Sequence, residues 1–395
     1  MDMDILDNEL KSYTFIICGF DHYNTLNALR ALCDKGIRPV VILRAQNEKS
    51  FLVKYSNFIT DYYEVDNAES GYRFILEKYK DNPHKAFLIS CDDWFEEYFD
   101  QHYDELNDHF YFFDGGSSGA VSKYLQKDEL CKLAEQCGLR IPKTIVVDNG
   151  CVSHGLNYPV ITKSLSSTEG GWKSDVFVCK DEQELINAYP KIKSQRIKLE
   201  EFIDKETELG LEGLSINHGK DVYIPFKNIF LRSQPGVFSN YMEMSPFTDS
   251  ELYDKVKNVL KAAKFNGVFS VDFLIGKNKE LYFLEVNFRH SAFAYATAYG
   301  GINLLYEWAK STIAGEIDYK TLDSVRRQEP FRAMVEWRDF EEYVVHGKNS
   351  IFKWLHQLKS AEVLYLYRKD DPQPAWRQWR HAILHTLGLI KIKNE

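Results

Sequence analysis

The stretch that decides the fold is Gly267-Val-Phe-Ser-Val-Asp-Phe-Leu-Ile-Gly-Lys-Asn-Lys-Glu-Leu-Tyr-Phe-Leu-Glu-Val-Asn-Phe-Arg289. Two apolar runs, rich in β-branched and aromatic residues, flank the turn-forming segment Gly276-Lys-Asn-Lys279, a pattern typical of a β-hairpin. If the hairpin folds about the centre of that segment, Asp272 lies directly opposite Glu285. Their Cβ atoms are then about 5 Å apart.

Strand alternation predicts that the two faces of this hairpin differ in chemistry. The predicted apolar face carries Val271, Phe273, Ile275, Tyr282, Leu284, Val286 and Phe288. The polar face carries Asp272, Glu285, Asn287 and Arg289. Opposed carboxylates in a half-buried sheet are destabilising unless a positive group neutralises them. Oxygen donors without His or Cys suit a hard cation, so we predict Mg²⁺ rather than Zn²⁺, completed by water and substrate phosphate. The alternative is a solvated face with ordinary surface ion pairs.

Two further segments favour a nucleotide site. Residues 158–163 are typical of a strand that ends in Lys163, and the loop 164–172 is rich in hydroxyls and glycine, so its backbone N–H groups can surround phosphate oxygens. No G-x-x-x-x-G-K-[ST] motif occurs, so this is not a Walker A loop. The apolar-acidic strand 197–203 can offer its backbone to an adenine edge. A flexible hairpin tip and an ordinary acidic strand are the alternatives.

The N-terminal segment is typical of a parallel α/β domain. An apolar run at 13–20, a helical pattern at 24–33 and a second apolar run at 38–43 predict a βαβ unit. Asp92 and Asp93 follow a later predicted strand, where open α/β sheets place their clefts. The first turn has one glycine where a dinucleotide-binding G-x-G-x-x-G has three, so we expect a scaffold rather than a dinucleotide site.

Composition limits the class of protein. With 395 residues, 44% hydrophobic and 27% charged, the chain is long enough for two or three domains of roughly 150 residues each. Seven cysteines without a C-x-x-C pair predict reduced thiols rather than disulfides or a zinc knuckle. The net charge of −9 disfavours a nucleic-acid partner. No apolar run approaches the ~20 residues that span a bilayer, and no secretory leader opens the chain, so we expect a cytoplasmic protein.

In their order and spacing, these segments resemble an ATP-grasp ligase from Lys123 to about Leu305. The motifs that carry the resemblance are Ser122-Lys123, Gly138-Leu-Arg-Ile-Pro142-Lys-Thr144, Pro159-Val-Ile-Thr-Lys163, Glu200-Glu-Phe-Ile203 and the E-x-N-x-R motif Glu285-Val-Asn-Phe-Arg289. The resemblance implies an α/β fold of the α+β ATP-grasp type. A parallel pre-ATP-grasp domain would cover 1–120. An ATP-grasp domain with two α+β subdomains that clamp ATP would cover 121–314, with a small lid at about 145–205. A C-terminal extension would cover 315–395.

The resemblance also implies roles for individual residues. ATP and two Mg²⁺ ions, with Mn²⁺ as the alternative metal, would be the cofactors. The phosphates would be bound by Lys123 and Lys163, the adenine by Glu200, Glu201, Phe202 and Ile203, and the ribose by Glu208 or, less favourably, by Glu206. The metal would be held by Asp272, Glu285 and Asn287. Arg289 would stabilise the transferring phosphoryl group. Lys227 and Arg232 are candidates for the substrate carboxylate, with ordinary surface cations as the alternative.

A finer resemblance is to carboxylate–amine ligases of the D-aspartate ligase and carbamoyl-phosphate-synthase-like type, carried by Leu284-Glu-Val-Asn-Phe-Arg289, Ser291-Ala-Phe293 and Tyr299-Gly-Gly-Ile-Asn303. His290, Ser291 and Ala292 replace the Gln, Gly and second Arg of D-aspartate ligases, which leaves the substrate open. The implied reaction joins a small-molecule carboxylate to an amine through an acyl phosphate and releases ADP and phosphate. The carboxylate is expected to be an amino acid, with an envelope- or peptidoglycan-related compound as one option. The alternatives are a phosphotransferase that acts on a hydroxyl and a non-catalytic nucleotide-binding module.

The tail at 374–393 predicts a basic amphipathic helix. The apolar positions Trp376, Trp379, Ile383, Leu387 and Ile390 follow helical spacing, among the cations Arg377, Arg380, Lys391 and Lys393. Such a helix can lie on an anionic membrane, which predicts peripheral contact at the inner membrane face. The alternative is a terminal helix that packs on the body or on a partner in the expected homodimer.

Overall fold

The computed structural model describes residues 3–45, 52–165, 172–232 and 239–386. Its first sheet is parallel, in the order β3-β2-β1-β4-β5. The strands are β1 Phe15–Gly19, β2 Val40–Arg44, β3 Asp61–Val65, β4 Ala86–Ser90 and β5 Phe110–Tyr111, and the helices are α1 Met3–Leu10, α2 Tyr23–Asp34, α3 Ala68–Tyr79, α4 Asp93–Gln101 and α5 Tyr103–Leu106. The central strands β1 and β4 are buried along their whole length, which explains their continuous apolar sequence. The predicted parallel N-terminal domain is confirmed.

A four-stranded antiparallel sheet, here called the lid sheet, follows in the order β6-β9-β7-β8. Helix α6 Lys127–Gln136 precedes this sheet along the chain, and helix α7 Glu182–Ala188 lies between β8 and β9. The strands are β6 Thr144–Asp148, β7 Val160–Ser164, β8 Val178–Cys179 and β9 Arg196–Glu201. The lid sheet packs its own small core around Leu185, Ile197 and Leu199, separate from the main core.

The largest sheet has seven strands in the order β14-β13-β10-β11-β12-β15-β16. They are β10 Lys205–Ile216, β11 Asp221–Phe230, β12 Tyr241–Pro246, β13 Gly267–Gly276, β14 Leu281–Asn287, β15 Phe331–Met334 and β16 Val363–Leu364. The helices of this part are α8 Ser250–Ala262, α9 Tyr295–Tyr299, α10 Leu304–Ala314, α11 Tyr319–Val325, α12 Glu336–Asp339, α13 Ile351–Ser360 and α14 Gln373–Thr386, with a π-helical segment at Phe340–His346. Strands β15 and β16 bring the C-terminal segment into the same sheet as the predicted site.

The described part of α14 packs on the body of the protein. The Trp379 ring lies edge-on to Trp337, with centroids 4.9 Å apart, and 5.8 Å from Phe340. Leu387, Ile390, Lys391 and Lys393 lie outside the described residues. No helix within the described ranges is long and apolar enough to cross a membrane. Membrane contact through the tail therefore stays a prediction.

Candidate functional site

The hairpin β13–β14 has the predicted register at the pair Asp272–Glu285 and a different register between that pair and the turn. Asp272 pairs directly with Glu285. A β-bulge then shifts the pairing, so that Phe273 faces Phe283 instead of Leu284. Phe283 is buried, whereas Tyr282 and Leu284, both predicted for the apolar face, are half-buried. The predicted face was wrong there because one extra residue in a strand reverses the alternation that follows it.

The polar face of this hairpin gathers the predicted metal ligands. The Asn287 Nδ2 donates to Asp272 Oδ2 at 3.2 Å, and the Arg289 Nη2 donates to Asn287 Oδ1 at 3.2 Å. Burial, and then the negative charges of Glu285 and Glu208, raise the pKa of Asp272 well above its ordinary value. Surplus negative charge on oxygen donors fits a hard cation such as Mg²⁺.

In the described residues, no three His, Cys, Asp or Glu side chains converge on a metal position. Asp272, Glu285 and Asn287 would therefore need nucleotide and water oxygens to complete a Mg²⁺ shell, which is the way Mg²⁺ is commonly bound.

The N-terminal domain holds the residues that follow β14. The Arg289 Nε donates to Asp93 Oδ1, at the start of α4 and the carboxyl end of β4. The Asn24 Nδ2 donates to the carbonyls of Cys91 and His290, each at 2.9 Å. His290 is buried, and burial followed by the charge of Arg289 lowers its pKa to about 3. Its imidazole therefore stays neutral near pH 7.

The lid sheet presents one acid between two lysines. The Lys163 Nζ lies 2.7 Å from Glu200 Oε1, and the Lys198 Nζ lies 2.9 Å from Glu200 Oε2. Burial alone would raise the pKa of Glu200, but Lys163 and Lys198 lower it to about 2. The group carries a net positive charge, which suits phosphate oxygens. Lys198 was missed in the sequence, although it precedes Glu200 by two residues and strand alternation therefore places both on the same face.

The structure brings Lys127, rather than the predicted Lys123, to this group. Lys123 is exposed and lies over the Tyr124 ring, 4.7 Å from its centroid. Lys127 begins α6, and its N–H donates to the Leu165 carbonyl at 2.9 Å, at the end of β7. Burial lowers the pKa of Lys127 and the carboxylate of Glu285 opposes that change, so Lys127 lies near the hairpin acids. Lys163 and Glu200 also act on it, which connects the two groups.

The connection between β9 and β10 has a free backbone edge. The Glu201 N–H donates to the Lys143 carbonyl and the Phe202 N–H to the Pro159 carbonyl, both at 2.9 Å. The next residue, Ile203, has no backbone hydrogen-bond partner for its N–H or C=O in the ranges that the structure describes. This arrangement fits the expected adenine contact.

Glu208 has an acceptor that is available for a ligand. The Lys205 Nζ lies 2.6 Å from Glu208 Oε1, while Glu208 Oε2 is buried without a hydrogen-bond partner among the described residues. Burial raises the pKa of Glu208 against the effect of Lys205. Glu206, by contrast, forms an exposed ion pair with Lys279. The ribose expectation therefore fits Glu208 better.

The two residues predicted to hold the substrate carboxylate do not lie with the acids. Lys227 pairs with Leu211, which pairs with Val271, so Lys227 shares the apolar face of the sheet. Arg232 forms a two-pronged ion pair with Asp339, at 2.7 and 3.1 Å. Its Nη1 donates to Gln357 at 3.0 Å. These contacts occupy the Arg232 guanidinium, and Lys227 lies on the face opposite Asp272. Neither residue is therefore assigned to the substrate carboxylate.

Two polar residues of the site face were missed. Glu212 is 1% exposed, and the Ser291 hydroxyl donates to its two oxygens, 2.8 and 2.7 Å away. Burial raises the pKa of Glu212 well above its ordinary value, and Asp272 adds to the rise. Asn228 is 0% exposed and pairs with Gly210, the neighbour of Asp272. Glu212 and Asn228 reach this face through pairing between strands that are distant in the sequence, and no local sequence motif predicts that pairing.

Comparison with known proteins agrees with this geometry. Residues 138–319 match the family described as carbamoyl-phosphate synthase L chain, ATP binding domain. The L-amino acid ligase structure from Bacillus licheniformis superposes with a TM-score of 0.63 at 14% identity, over 81% of this chain and 79% of that one. The chain has the ATP-grasp fold. The N5-carboxyaminoimidazole synthetase structure from Staphylococcus aureus shares the fold at a TM-score of 0.63 and 12% identity, over 95% of this chain and 97% of the synthetase.

One sequence relative is the D-aspartate ligase of Enterococcus faecium (strain Aus0004), 22% identical over 258 residues. The match covers 60% of the ATP-grasp chain and 61% of the ligase, so the chain spans about three fifths of this relative's length. The resemblance inferred from the hairpin and lid motifs is confirmed at the level of fold and ATP-binding domain.

Proposed function

We propose that this chain is an ATP-dependent ligase that joins a small-molecule carboxylate to an amine, with an acyl phosphate as intermediate. The observation that carries the proposal is the direct pairing of Asp272 with Glu285, with Asn287 and Arg289 on the same face. A D-aspartate ligase and an L-amino acid ligase among the similar proteins support an amino acid as the carboxylate.

In this proposal, ATP lies between the lid sheet and the hairpin. Lys163, Lys198 and Lys127 supply the positive charge for the phosphates. The backbone of Ile203 meets the adenine edge, and Glu208 Oε2, which has no partner among the described residues, accepts from a ribose hydroxyl.

Asp272, Glu285 and Asn287 would hold Mg²⁺, with two ions expected and Mn²⁺ as the alternative. The bound metal would neutralise charge on the β- and γ-phosphates. The raised pKa of Asp272 supports this role, since a cation relieves the repulsion between the paired carboxylates.

The reaction has two steps. A carboxylate oxygen of the substrate attacks the γ-phosphorus of ATP, the bond to the β–γ bridging oxygen breaks, and ADP leaves. The amine nitrogen then attacks the acyl carbon, loses a proton and expels phosphate. The chain contributes positioning and charge stabilisation. Arg289, oriented by Asp93 and Asn287, faces the developing phosphoryl charge.

The test is a screen for ADP release with Mg-ATP, D- and L-amino acids as carboxylates, and hydroxylamine as the amine. We expect one or more amino acids to stimulate ADP release and to yield a hydroxamate that mass spectrometry detects. A phosphorylated hydroxyl compound without any hydroxamate would instead identify a phosphotransferase. ATP binding with no turnover under any pairing would favour the non-catalytic module.

A further inference from the structure

The C-terminal extension exposes several large apolar side chains. Among the residues that the structure describes, the two most exposed large apolar side chains are Phe352, at 80%, and Trp376, at 65%. Phe352 lies on α13, together with the exposed side chains of Ile351 and Leu355. Single apolar side chains on a surface are common, but a group of them on one helix indicates a contact surface for a partner.

Helix α13 packs on the body of the protein through a different face. Trp354 is 3% exposed, and its ring lies edge-on to Phe340, with centroids 5.1 Å apart. Phe352, Leu355 and Lys359 follow the i, i+3, i+7 spacing of one helix face, here called the outer face of α13, and all three are exposed. Because Trp354 already holds the helix to the body, the outer face is available for a partner.

The charge around the outer face of α13 is positive. Lys348, Lys353 and Lys359 are exposed, and no Asp or Glu occurs at 343–361. Residues 347–395 carry nine Lys and Arg against four Asp and Glu, whereas the rest of the chain carries 40 against 54. Positive charge is therefore concentrated in the C-terminal extension of a chain that is acidic as a whole.

We infer that the outer face of α13 binds the surface of an anionic lipid bilayer. Helices that lie in the membrane interface combine aromatic and aliphatic side chains with Lys or Arg. Phe352 and Leu355 would enter the boundary between headgroups and acyl chains, while Lys353 and Lys359 would attract the anionic headgroups. This binding does not depend on the proposed ligase reaction.

A second copy of this chain fits the outer face of α13 less well than a bilayer does. In a two-fold symmetric dimer on this surface, the same patch of each copy would face the other, so the lysines would lie opposite one another. Like charges across an interface weaken binding. An anionic bilayer instead offers negative charge and an apolar layer together.

Vesicle co-sedimentation of the full chain tests this binding. The probe is vesicles of equal parts phosphatidylglycerol and phosphatidylcholine, compared with vesicles of phosphatidylcholine alone. At low salt we expect the wild type to bind the anionic vesicles at least about tenfold better than the neutral ones. High salt should release the protein, because salt screens the attraction between charges. A wild type that stays in the supernatant, or binds both kinds of vesicle equally, would overturn the inference.

The variant Phe352→Ser/Leu355→Ser removes the apolar part of the outer face. Both side chains are exposed, so the melting temperature should stay unchanged. Binding to the anionic vesicles should fall at least about tenfold. The matched control is Val325→Ser, which removes an apolar side chain that is 54% exposed at the end of α11 and should bind as the wild type does. Wild-type binding by Phe352→Ser/Leu355→Ser would contradict the assignment.

The variant Lys353→Gln/Lys359→Gln tests the cations of α13. We expect its binding to the anionic vesicles to fall at least about fivefold, because each lysine contributes attraction to anionic headgroups. Its control is Lys220→Gln, at an exposed lysine in the turn between β10 and β11, which should bind as the wild type does. Equal binding by Lys353→Gln/Lys359→Gln and this control would contradict the electrostatic part of the contact.

Two outcomes would assign these exposed side chains differently. Helix α14 exposes Trp376, Arg380 and Ile383 at the i, i+4, i+7 spacing. Loss of vesicle binding in Trp376→Ser, with full binding in Phe352→Ser/Leu355→Ser, would place the contact on α14 and overturn the assignment to α13. A dimer that dissociates in Phe352→Ser/Leu355→Ser during analytical ultracentrifugation, without vesicle binding by the wild type, would overturn it in favour of a contact between two copies.

Discussion

Two buried groups of charges connect distant parts of this chain, and they are built in opposite ways. Arg30 on α2 and Asp371 in the C-terminal segment are both 0% exposed and lie 2.8 Å apart. The Arg30 guanidinium also donates to the carbonyls of Tyr365 and Leu366, at 3.1 and 3.0 Å. Asp371 accepts from the Ser56 hydroxyl and the Asn57 N–H as well, at 2.8 and 2.7 Å. This pair is electrically balanced and fully hydrogen-bonded within the chain.

The group around Asp272, by contrast, has unbalanced charges. Asp272 faces Glu285 directly, and Glu208 and Glu212 add negative charge nearby. The positive charge of Arg289 opposes this excess. Breaking a balanced buried pair leaves an uncompensated charge, which is strongly destabilising, whereas a cation bound to the unbalanced group would relieve its repulsion. The comparison thus separates a structural centre from the proposed binding centre.

The largest stability effect should come from breaking the balanced pair. Asp371→Ala leaves the Arg30 charge buried without its partner and should lower the free energy of unfolding by about 3–5 kcal/mol. Urea unfolding measures the change. The matched control is Asp370→Ala, whose exposed carboxylate pairs with Arg368 and should matter by less than about 1 kcal/mol. Equal losses in the two variants would refute the special role of the buried pair.

The second prediction separates two lysines that are four residues apart in the sequence. Lys127→Met should raise the KM for ATP about tenfold, equivalent to about 1.4 kcal/mol, because Lys127 lies near both charged groups. Lys123→Met should leave the KM for ATP unchanged, since Lys123 is exposed and lies over the Tyr124 ring. Steady-state kinetics decides. A larger effect at Lys123 would restore the role predicted from sequence.

The smallest effect concerns pH. The folded pKa of Asp272 lies above its ordinary value of 3.8. The folded state therefore holds this proton more tightly than the unfolded chain does, and stability from this group rises as pH falls through the folded pKa toward 3.8. Without metal, the wild type should gain stability relative to Asp272→Asn as the pH falls through that window. Thermal unfolding across a pH series measures the difference. A difference that does not change with pH would contradict the raised pKa.

Sequence alone was sufficient where local pattern and burial agree. Strands β1, β2 and β4 were predicted because burial on both faces leaves a continuous apolar run. The edge strand β3 was missed, since it is polar and largely exposed. The pairing of Asp272 with Glu285 followed from the hairpin turn, but the bulge beyond it follows no periodic pattern.

The remaining site residues depended on contacts between distant strands. Asn228 has no sequence signature, and only the pairing of β11 with β10 brings it beside Gly210 and Asp272. Lys127 was passed over because the resemblance assigned the phosphate contact to Lys123, whereas in the structure Lys127, at the start of α6, lies near the acids. No partner for Arg232 was predicted from the sequence, and in the structure Arg232 forms an ion pair with Asp339.

The most direct test of the central claim is the effect of Glu285→Ala on Mg-ATP-dependent ADP release. The matched control is Glu280→Ala, an exposed acid of the same hairpin that pairs with Arg140. If Asp272 and Glu285 form the metal and nucleotide centre, Glu285→Ala should lose ADP release by at least about 100-fold. Its melting temperature should be equal or higher, because a repelling charge is removed, and the control should stay active. Full activity in Glu285→Ala would contradict the account.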